Sequence, residues 1–184
     1  MKKSISNTEL SYRYLYPRLT VLVTSGSVEK PNAITIAWST PLSVDPPLIG
    51  MLITKKRFSH EIIAHNKEFV INIPDSSHVK GCFHIGSVSG KIEPDKVSNA
   101  GFTVEKAERI NAPRIKECKI NIECTLENII TTGDHDLFVG KVVHVSIDSK
   151  IEDDWAFDLK LFQPVYWRQS KNLKETFKLD VSNH

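Results

Sequence analysis

Short apolar runs, some alternating and some continuous, dominate the pattern of this chain. Positions 19–25 (LTVLVTS) are rich in β-branched residues, and 48–54 (LIGMLIT) is a nearly continuous apolar run; both patterns are typical of strands. From 120 to 127 and from 138 to 147, apolar and polar residues mostly alternate, which predicts a long hairpin around a turn at 133–136. In its second strand, the residues on one side are Val139, Val143, Val145 and Ile147. The chain is therefore predicted to be built mainly from β-strands.

Short helices are predicted between the strands. One follows Ser59, a good N-cap residue, and another runs from Asp75 to Ile85 and ends before Gly86. Many strands with short helical inserts favour a closed or nearly closed antiparallel barrel, because closure removes exposed sheet edges. No glycine-rich GxGxxG turn or Walker-type loop is present, which disfavours a parallel nucleotide-binding fold.

The stretch from Asn32 to Thr40 predicts a strand with two unlike faces. Large side chains occupy one face, and the small ones on the other are Ala33, Thr35, Ala37 and Ser39. A face of small residues lets a planar ring such as a flavin lie close to the backbone, with the hydroxyls of Thr35, Ser39 and Thr40 near its edge. The alternative is ordinary close packing within the protein.

A basic turn follows the next predicted strand. Lys55, Lys56 and Arg57 precede Ser59 and the predicted helix, so three cations and unpaired helix amides meet at one point. Arg57 is suited to a two-pronged contact with phosphate. This arrangement predicts a phosphate site, although a run of cations is also typical of a solvated turn.

Length and charge narrow the choice of function. The 184 residues fit one domain over 1–184, with a core at about 14–148 and an extension at 149–184. Residues 1–13 are polar and are expected to form a loose arm or a segment that clasps a partner. The formal charge of +2 argues against a nucleic-acid partner. No apolar run approaches membrane-spanning length and no secretory signal is evident, so a cytoplasmic protein is expected.

Candidate catalytic and metal-binding residues are few. His135 lies between two aspartates in the predicted turn, where it could contact a cofactor or simply hold the hairpin. The histidines form no HExxH or other compact ligand set, so no metal site is predicted. Three cysteines without a CxxC motif are expected to be reduced thiols, and Cys82 to be buried and inert unless it lies near a cofactor. No GxSxG elbow supports hydrolysis.

The order of residues also resembles a known family. The segments NAITIAWSTPLSVDPPL, KKRFSH and EFVINIP resemble the flavin reductase-like, FMN-binding split-barrel family, and its flavoredoxin-like members most. The resemblance runs from about 14 to 148. It implies a mainly β fold, an antiparallel split β-barrel of Greek-key type with short inserted helices. It further implies a homodimer with each FMN near the subunit boundary, where the 87–101 loop and the C-terminal residues cover the partner's site.

The resemblance assigns roles to particular residues. The implied FMN contacts are Thr35, Ile36, Ala37, Trp38, Ser39, Thr40, Lys55, Arg57 and Ser59. His135 is implied to lie close to the site, as the candidate catalytic residue. Ser89 and Lys91 fall in a stretch where the family often has S-R-x-S-G, and the arginine is absent here. This departure puts one phosphate or nicotinamide contact in doubt, which Lys91 could replace.

Three functions remain open at this stage. The leading one is an NADH- or NADPH-dependent flavin reductase that transfers hydride to FMN and passes electrons to free flavin, a metal complex or a redox protein. The second is an FMN electron carrier without a nicotinamide site. The third is a flavin-free barrel that acts as an interaction module.

Overall fold

Strands account for most of the regular structure in the computed structural model, which describes residues 4–152, 156–169 and 174–177. The strands are β1 (Arg18–Leu19), β2 (Val21–Gly26), β3 (Pro31–Ile36), β4 (Ser39–Ser43), β5 (Leu48–Thr54), β6 (Glu68–Ile73), β7 (Val104–Glu105), β8 (Arg114–Ile115), β9 (Ile120–Thr131), β10 (His135–Ile147), β11 (Tyr166–Gln169) and β12 (Lys174–Phe177). The helices are α1 (Phe58–Asn66), α2 (Val79–Ser87) and α3 (Lys96–Asn99), with 3₁₀ helices at Thr8–Leu15 and Ser76–His78. No helix in the described ranges is both long and apolar enough to cross a membrane.

One seven-stranded antiparallel sheet organises the molecule, in the order β3-β2-β6-β9-β10-β5-β4. Its two edge strands, β3 and β4, are consecutive in the chain and separated only by Ala37 and Trp38. The chain therefore passes from one edge of the sheet to the other at a two-residue bend, where the Leu52 amide donates to the Trp38 carbonyl at 2.9 Å. The prediction of a mainly β, antiparallel fold is confirmed, but the barrel is not closed.

The predicted strand from Ala33 to Ser39 is wrong in its extent. The structure ends β3 at Ile36 and starts β4 at Ser39, and β4 continues through Pro41. A proline is compatible with a strand at the edge of a sheet because its missing N–H is not needed for a second partner. Both edge strands contain one, since Pro31 begins β3.

Two apolar clusters lie on opposite sides of β2 and β3. The cluster inside the curved sheet includes Val21, Val23, Ile34, Ile36, Met51, Ile53, Ile63, Phe69, Ile71, Cys124, Phe138 and Phe162. The cluster between the sheet and α2 includes Leu22, Ala33, Cys82, Ile85, Val97, Phe102, Ile115, Cys118 and Val165. Burial on both faces explains why β2 reads as a continuous apolar run.

The β9–β10 hairpin is present, but its second strand does not keep one buried face. Register shifts occur between Val139 and Gly140 and between Val142 and His144. A bulge adds an unpaired residue and so reverses which side of the sheet later residues occupy. Val139 is buried, whereas Val143 and Val145 are exposed.

All three cysteines are free and buried. Burial raises the pKa of the Cys82 and Cys124 thiols to about 12 and also raises that of Cys118. These thiols therefore stay protonated near neutral pH.

Candidate functional site

A cleft of about 180 Å³ lies at the bend between β3 and β4. Its lining residues are Ile34, Thr35, Ile36, Ala37, Trp38, Leu52, Ile53, Thr54, Arg57 and His135. They come from the end of β3, the end of β5, the basic turn and the start of β10. We call this the bend cleft. It brings together six of the residues that the sequence singled out: Thr35, Ile36, Ala37, Trp38, Arg57 and His135.

The bend positions Trp38 at the mouth of this cleft. Its indole Nε1 donates to the Tyr16 hydroxyl at 2.9 Å, and Tyr12 packs edge-on against it with ring centres 5.5 Å apart. Both tyrosines lie in or next to the 3₁₀ helix at Thr8–Leu15. The expectation of a loose arm over 1–13 is therefore wrong for the part from Thr8 onward, which supports the site.

His135 also lines the bend cleft, and its ring packs against that of Trp38. Its ring centre lies 4.8 Å from that of Trp38, and its Nδ1 lies 2.8 Å from an Asp134 carboxylate oxygen. The hydrogen bond from His135 lowers the pKa of Asp134. Because Asp134 occupies Nδ1, Nε2 is the nitrogen left for a ligand. Holding the turn and facing a cofactor are thus compatible roles for this residue.

Asp136, the next residue along β10, was not singled out by sequence reasoning. It is 3% exposed and sits 2.8 Å from Nε2 of His60 and 3.7 Å from Nζ of Lys55. The hydrogen bond from His60 is the main factor that lowers its pKa. Alternation along the strand would have predicted that His135 and Asp136 point to opposite sides. The aspartate ties α1 and the basic turn to β10.

The basic turn is exposed, as a phosphate site requires. Lys55, Lys56 and Arg57 all face solvent, and Arg57 is the N-cap residue of α1, with no side chain capping the helix. The prediction that Ser59 is the N-cap is wrong. Ser59 lies inside the first turn of α1, is 3% exposed, and accepts a hydrogen bond from Asn32 Nδ2 at 2.8 Å.

Most of the small face of β3 is covered by the protein itself. Ala33 is fully buried in the cluster that contains Cys82 and Ile85, and the Thr35 hydroxyl donates to the Cys82 carbonyl at 2.6 Å. The expectation that a planar ring lies along this whole face is therefore wrong at Ala33, where α2 packs closely. Ala37, beyond the end of the strand, lines the bend cleft.

The remaining predicted residues lie outside the lining of the bend cleft. Ser39 and Thr40 are in β4, paired with Met51 and Gly50. Lys91 Nζ lies 2.9 Å from a Glu61 carboxylate oxygen and 5.1 Å from the centre of the Phe58 ring. Ser89 accepts a hydrogen bond from the Lys91 amide at 3.3 Å. Lys91 is thus engaged with α1 in this structure.

Lys96 is a buried cation to which the sequence assigned no role. It is 3% exposed, and its Nζ donates to the carbonyls of Ile85 and Val88 at 3.1 and 2.8 Å. Burial, followed by the charge of Arg57, lowers its pKa to about 8. The lysine closes the C-terminal end of α2 and adds positive potential behind the basic turn.

No group of three or more His, Cys, Asp or Glu side chains that could hold a metal ion occurs in the described ranges of the chain. The lining of the bend cleft offers the Arg57 guanidinium, the rings of Trp38 and His135, and backbone groups.

Comparisons with known proteins show the family to which this chain belongs. A family model described as "Flavin reductase like domain" matches residues 12–172. An uncharacterized protein of Archaeoglobus fulgidus is 39% identical over 140 residues, covering 76% of this chain and 78% of that protein. The crystal structure of a flavoredoxin from Methanosarcina acetivorans superposes with a TM-score of 0.83 at 25% identity, covering 100% of this chain and 98% of that chain.

A relative with a named activity is more distant. The NADH-dependent FAD reductase of Streptomyces globisporus is 24% identical over 128 residues, covering 70% of this chain and 69% of that protein. The family model alone covers most of the chain, including every residue that lines the bend cleft. This protein therefore belongs to the flavin reductase-like family.

Proposed function

We propose that this protein binds FMN at the bend cleft and transfers electrons from NADH or NADPH, through the flavin, to a second acceptor. One observation carries the proposal: three segments that are distant in the chain meet at this cleft. They bring Arg57, His135 and the backbone of Ala37 and Trp38 to the lining of one cleft. The name of the S. globisporus relative supports a nicotinamide donor. The flavoredoxin structure supports a flavin-centred redox role.

The chain offers a group for each part of FMN. Arg57 and Lys55 would bind the phosphate, next to the amides of the first turn of α1, where the helix dipole favours an anion. Ala37 and Trp38 lie in a bend outside both edge strands, so their backbone can reach the polar edge of the ring. The bend cleft alone is smaller than the roughly 300–1,000 Å³ typical of ligand pockets, so it would hold only part of the cofactor.

The flavin, when bound, supplies hydride acceptance and one- or two-electron transfer. The residues of the chain position and stabilise it. Asp134 holds Nδ1 of His135, so Nε2 is the nitrogen that would donate to or accept from the ring edge. Tyr16 and Tyr12 hold Trp38 in place, so that its indole forms a fixed wall.

The phosphate assignment can be tested by FMN titration of purified protein. The double variant Lys55→Ala/Arg57→Ala should raise the Kd for FMN at least about tenfold, because charge-assisted hydrogen bonds are worth roughly 1.5–3 kcal/mol each. Lys56→Ala is the matched control, since Lys56 is an equally exposed cation of the same turn to which the proposal gives no phosphate contact. We expect its Kd to change less than about threefold. Unchanged FMN affinity in the double variant would refute the assignment.

A second function, an FMN electron carrier without a nicotinamide site, is favoured by the flavoredoxin likeness. Steady oxidation of NADH or NADPH by the FMN-loaded protein supports the reductase. Flavin that is reduced only by a redox-protein donor supports the carrier. If the protein neither absorbs in the flavin bands nor binds added FMN, the third reading, a flavin-free interaction module, replaces both.

A further inference from the structure

One buried carboxylate contacts both the first residue of the basic turn and the helix that follows the turn. The side chain of Asp136, on β10, is 4% exposed. Its Oδ1 lies 3.7 Å from Nζ of Lys55, and its Oδ2 lies 2.8 Å from Nε2 of His60, in the first turn of α1. Between these two contacts, the Arg57 amide donates to the Thr54 carbonyl at 3.0 Å and closes the turn. Asp136 therefore fixes the connection that presents Lys55 and Arg57.

Lys55 has a long side chain that is 63% exposed. An ammonium group on a four-carbon stem loses rotamer freedom when it binds a ligand, and this loss weakens binding. A carboxylate within ion-pair distance restricts the ammonium before the ligand arrives, so that less freedom is lost on binding. The anchor is itself held in place, because His60 packs edge-on against Phe138 with ring centres 4.9 Å apart.

The charge of Asp136, taken alone, predicts an opposite effect on phosphate binding. A carboxylate close to an anion site repels the anion, so removal of its charge would strengthen phosphate binding. Removal of an anchor for Lys55 would instead weaken it. The sign of the change in affinity therefore distinguishes the two roles.

We propose that Asp136 is a positioning residue that preorganises Lys55 to bind the phosphate of FMN. This role rests on the proposed function, because it presupposes the phosphate site at the basic turn. It adds to that site a residue that lies outside the lining of the bend cleft and acts through Lys55.

A double-mutant cycle in FMN affinity tests this role. FMN is titrated at neutral pH into purified wild type, Asp136→Asn, Lys55→Ala and the double variant. We expect Asp136→Asn to raise the Kd for FMN about three- to tenfold, part of the loss expected for one charge-assisted hydrogen bond. In the Lys55→Ala background, the same substitution should weaken binding less than about twofold, because the residue through which Asp136 acts is gone. An equal loss in both backgrounds, or tighter FMN binding by Asp136→Asn, would overturn the proposal.

Riboflavin serves as the second probe, because it carries the ring and ribityl chain of FMN without the phosphate. Its Kd should change less than about twofold in Asp136→Asn. A loss of riboflavin affinity equal to that of FMN would mean that the substitution disturbs the whole site, which contradicts the proposal. Glu127→Gln is the matched control for net charge, since Glu127 is an exposed carboxylate on the neighbouring strand β9, and it should leave the Kd for FMN unchanged.

A second variant, Asp136→Glu, keeps the carboxylate but moves it by one methylene group. Its Kd for FMN should lie between those of wild type and Asp136→Asn, and it replaces Asp136→Asn in the cycle if that variant does not fold. Weaker FMN binding by Asp136→Glu than by Asp136→Asn would contradict the anchoring role. If wild type does not bind FMN, the proposed function itself fails. If wild type binds FMN and the cycle is additive, only the role of Asp136 fails.

Discussion

Lys96 is a buried ammonium group whose only described acceptors are two backbone carbonyls, Ile85 and Val88. Its pKa is about 8 in the folded protein against an ordinary value of 10.5. Between these values the unfolded chain binds more protons than the folded one, so this group makes the folded state more stable as pH rises. Below about pH 8 its burial as a cation opposes folding.

We therefore predict that Lys96→Met changes the pH dependence of stability. Relative to the variant, wild type should gain up to about 3 kcal/mol in the free energy of unfolding between pH 8 and 10.5. The comparison with the variant is needed because the buried thiols act in the opposite direction at high pH. Urea unfolding at several pH values measures the difference. A difference that stays constant with pH would contradict the prediction.

Asp136 affects the stability of the fold at acid pH. Its pKa is lowered from the ordinary value of 3.8, chiefly by the hydrogen bond from His60, so its stabilising effect is present above that value and is lost as pH falls through the folded pKa. We expect Asp136→Asn to be less stable than wild type at pH 6, and the gap to narrow below about pH 4. Asp134→Asn is the control, since that side chain is 91% exposed. If Asp136→Asn and Asp134→Asn lost the same free energy of unfolding at pH 6, the buried contact of Asp136 with His60 would not be stabilising.

Single residues show where sequence reasoning stops. His135 could be chosen from its residue type and the turn that holds it, and it lines the cleft. Asp136, His60 and Lys96 could not be chosen in the same way, because their partners come from other elements or from backbone carbonyls. Ser59 was wrongly predicted to be the N-cap, because a serine near the start of a helix suits both the cap and a buried first turn. The hydrogen bond from Asn32, a residue distant in the sequence, favours the buried position.

At the scale of elements, Gly140 shows how the bulged hairpin is packed. A Cβ there would overlap the Phe69 ring and approach Cys124. We predict that Gly140→Ala lowers the free energy of unfolding by about 1–3 kcal/mol, the usual cost of overpacking a core. Adding Phe69→Leu should recover part of this loss, and a double-mutant cycle in urea measures the coupling. Strictly additive losses would mean that the two residues do not interfere.

The elements themselves were largely predictable, and their irregularities were not. Alternation and apolar runs identified β2, β5 and the β9–β10 hairpin, because each pattern reports burial on one or both faces. The two register shifts between β9 and β10 depend on how these strands pair, and the break at Ala37 and Trp38 depends on where the two sheet edges meet. Neither is encoded in the local pattern. The bend cleft forms at such an irregularity, so its shape could not be predicted.

At the scale of the molecule, β10 exposes two valines on its outward side. Val143 and Val145 are 39% and 52% exposed, with Lys141 also outward on the same strand. We propose that a homodimer, which the family resemblance implies, uses this surface. Val143→Glu/Val145→Glu should then sediment as a monomer, with wild type as a dimer, in analytical ultracentrifugation. Val28→Glu, at another exposed valine, is the control. A wild-type monomer, or a dimer that survives the double substitution, would refute this.

The prolines in β3 and β4 have a consequence for how the molecule resists aggregation. Unpaired strand edges act as templates on which another chain can add a strand, and proline interrupts such a template because it has no N–H to donate. Pro31 and Pro41 place this interruption on both outer strands of the sheet. The addition of a strand from another chain is thereby disfavoured at both edges of the sheet, although the barrel is not closed.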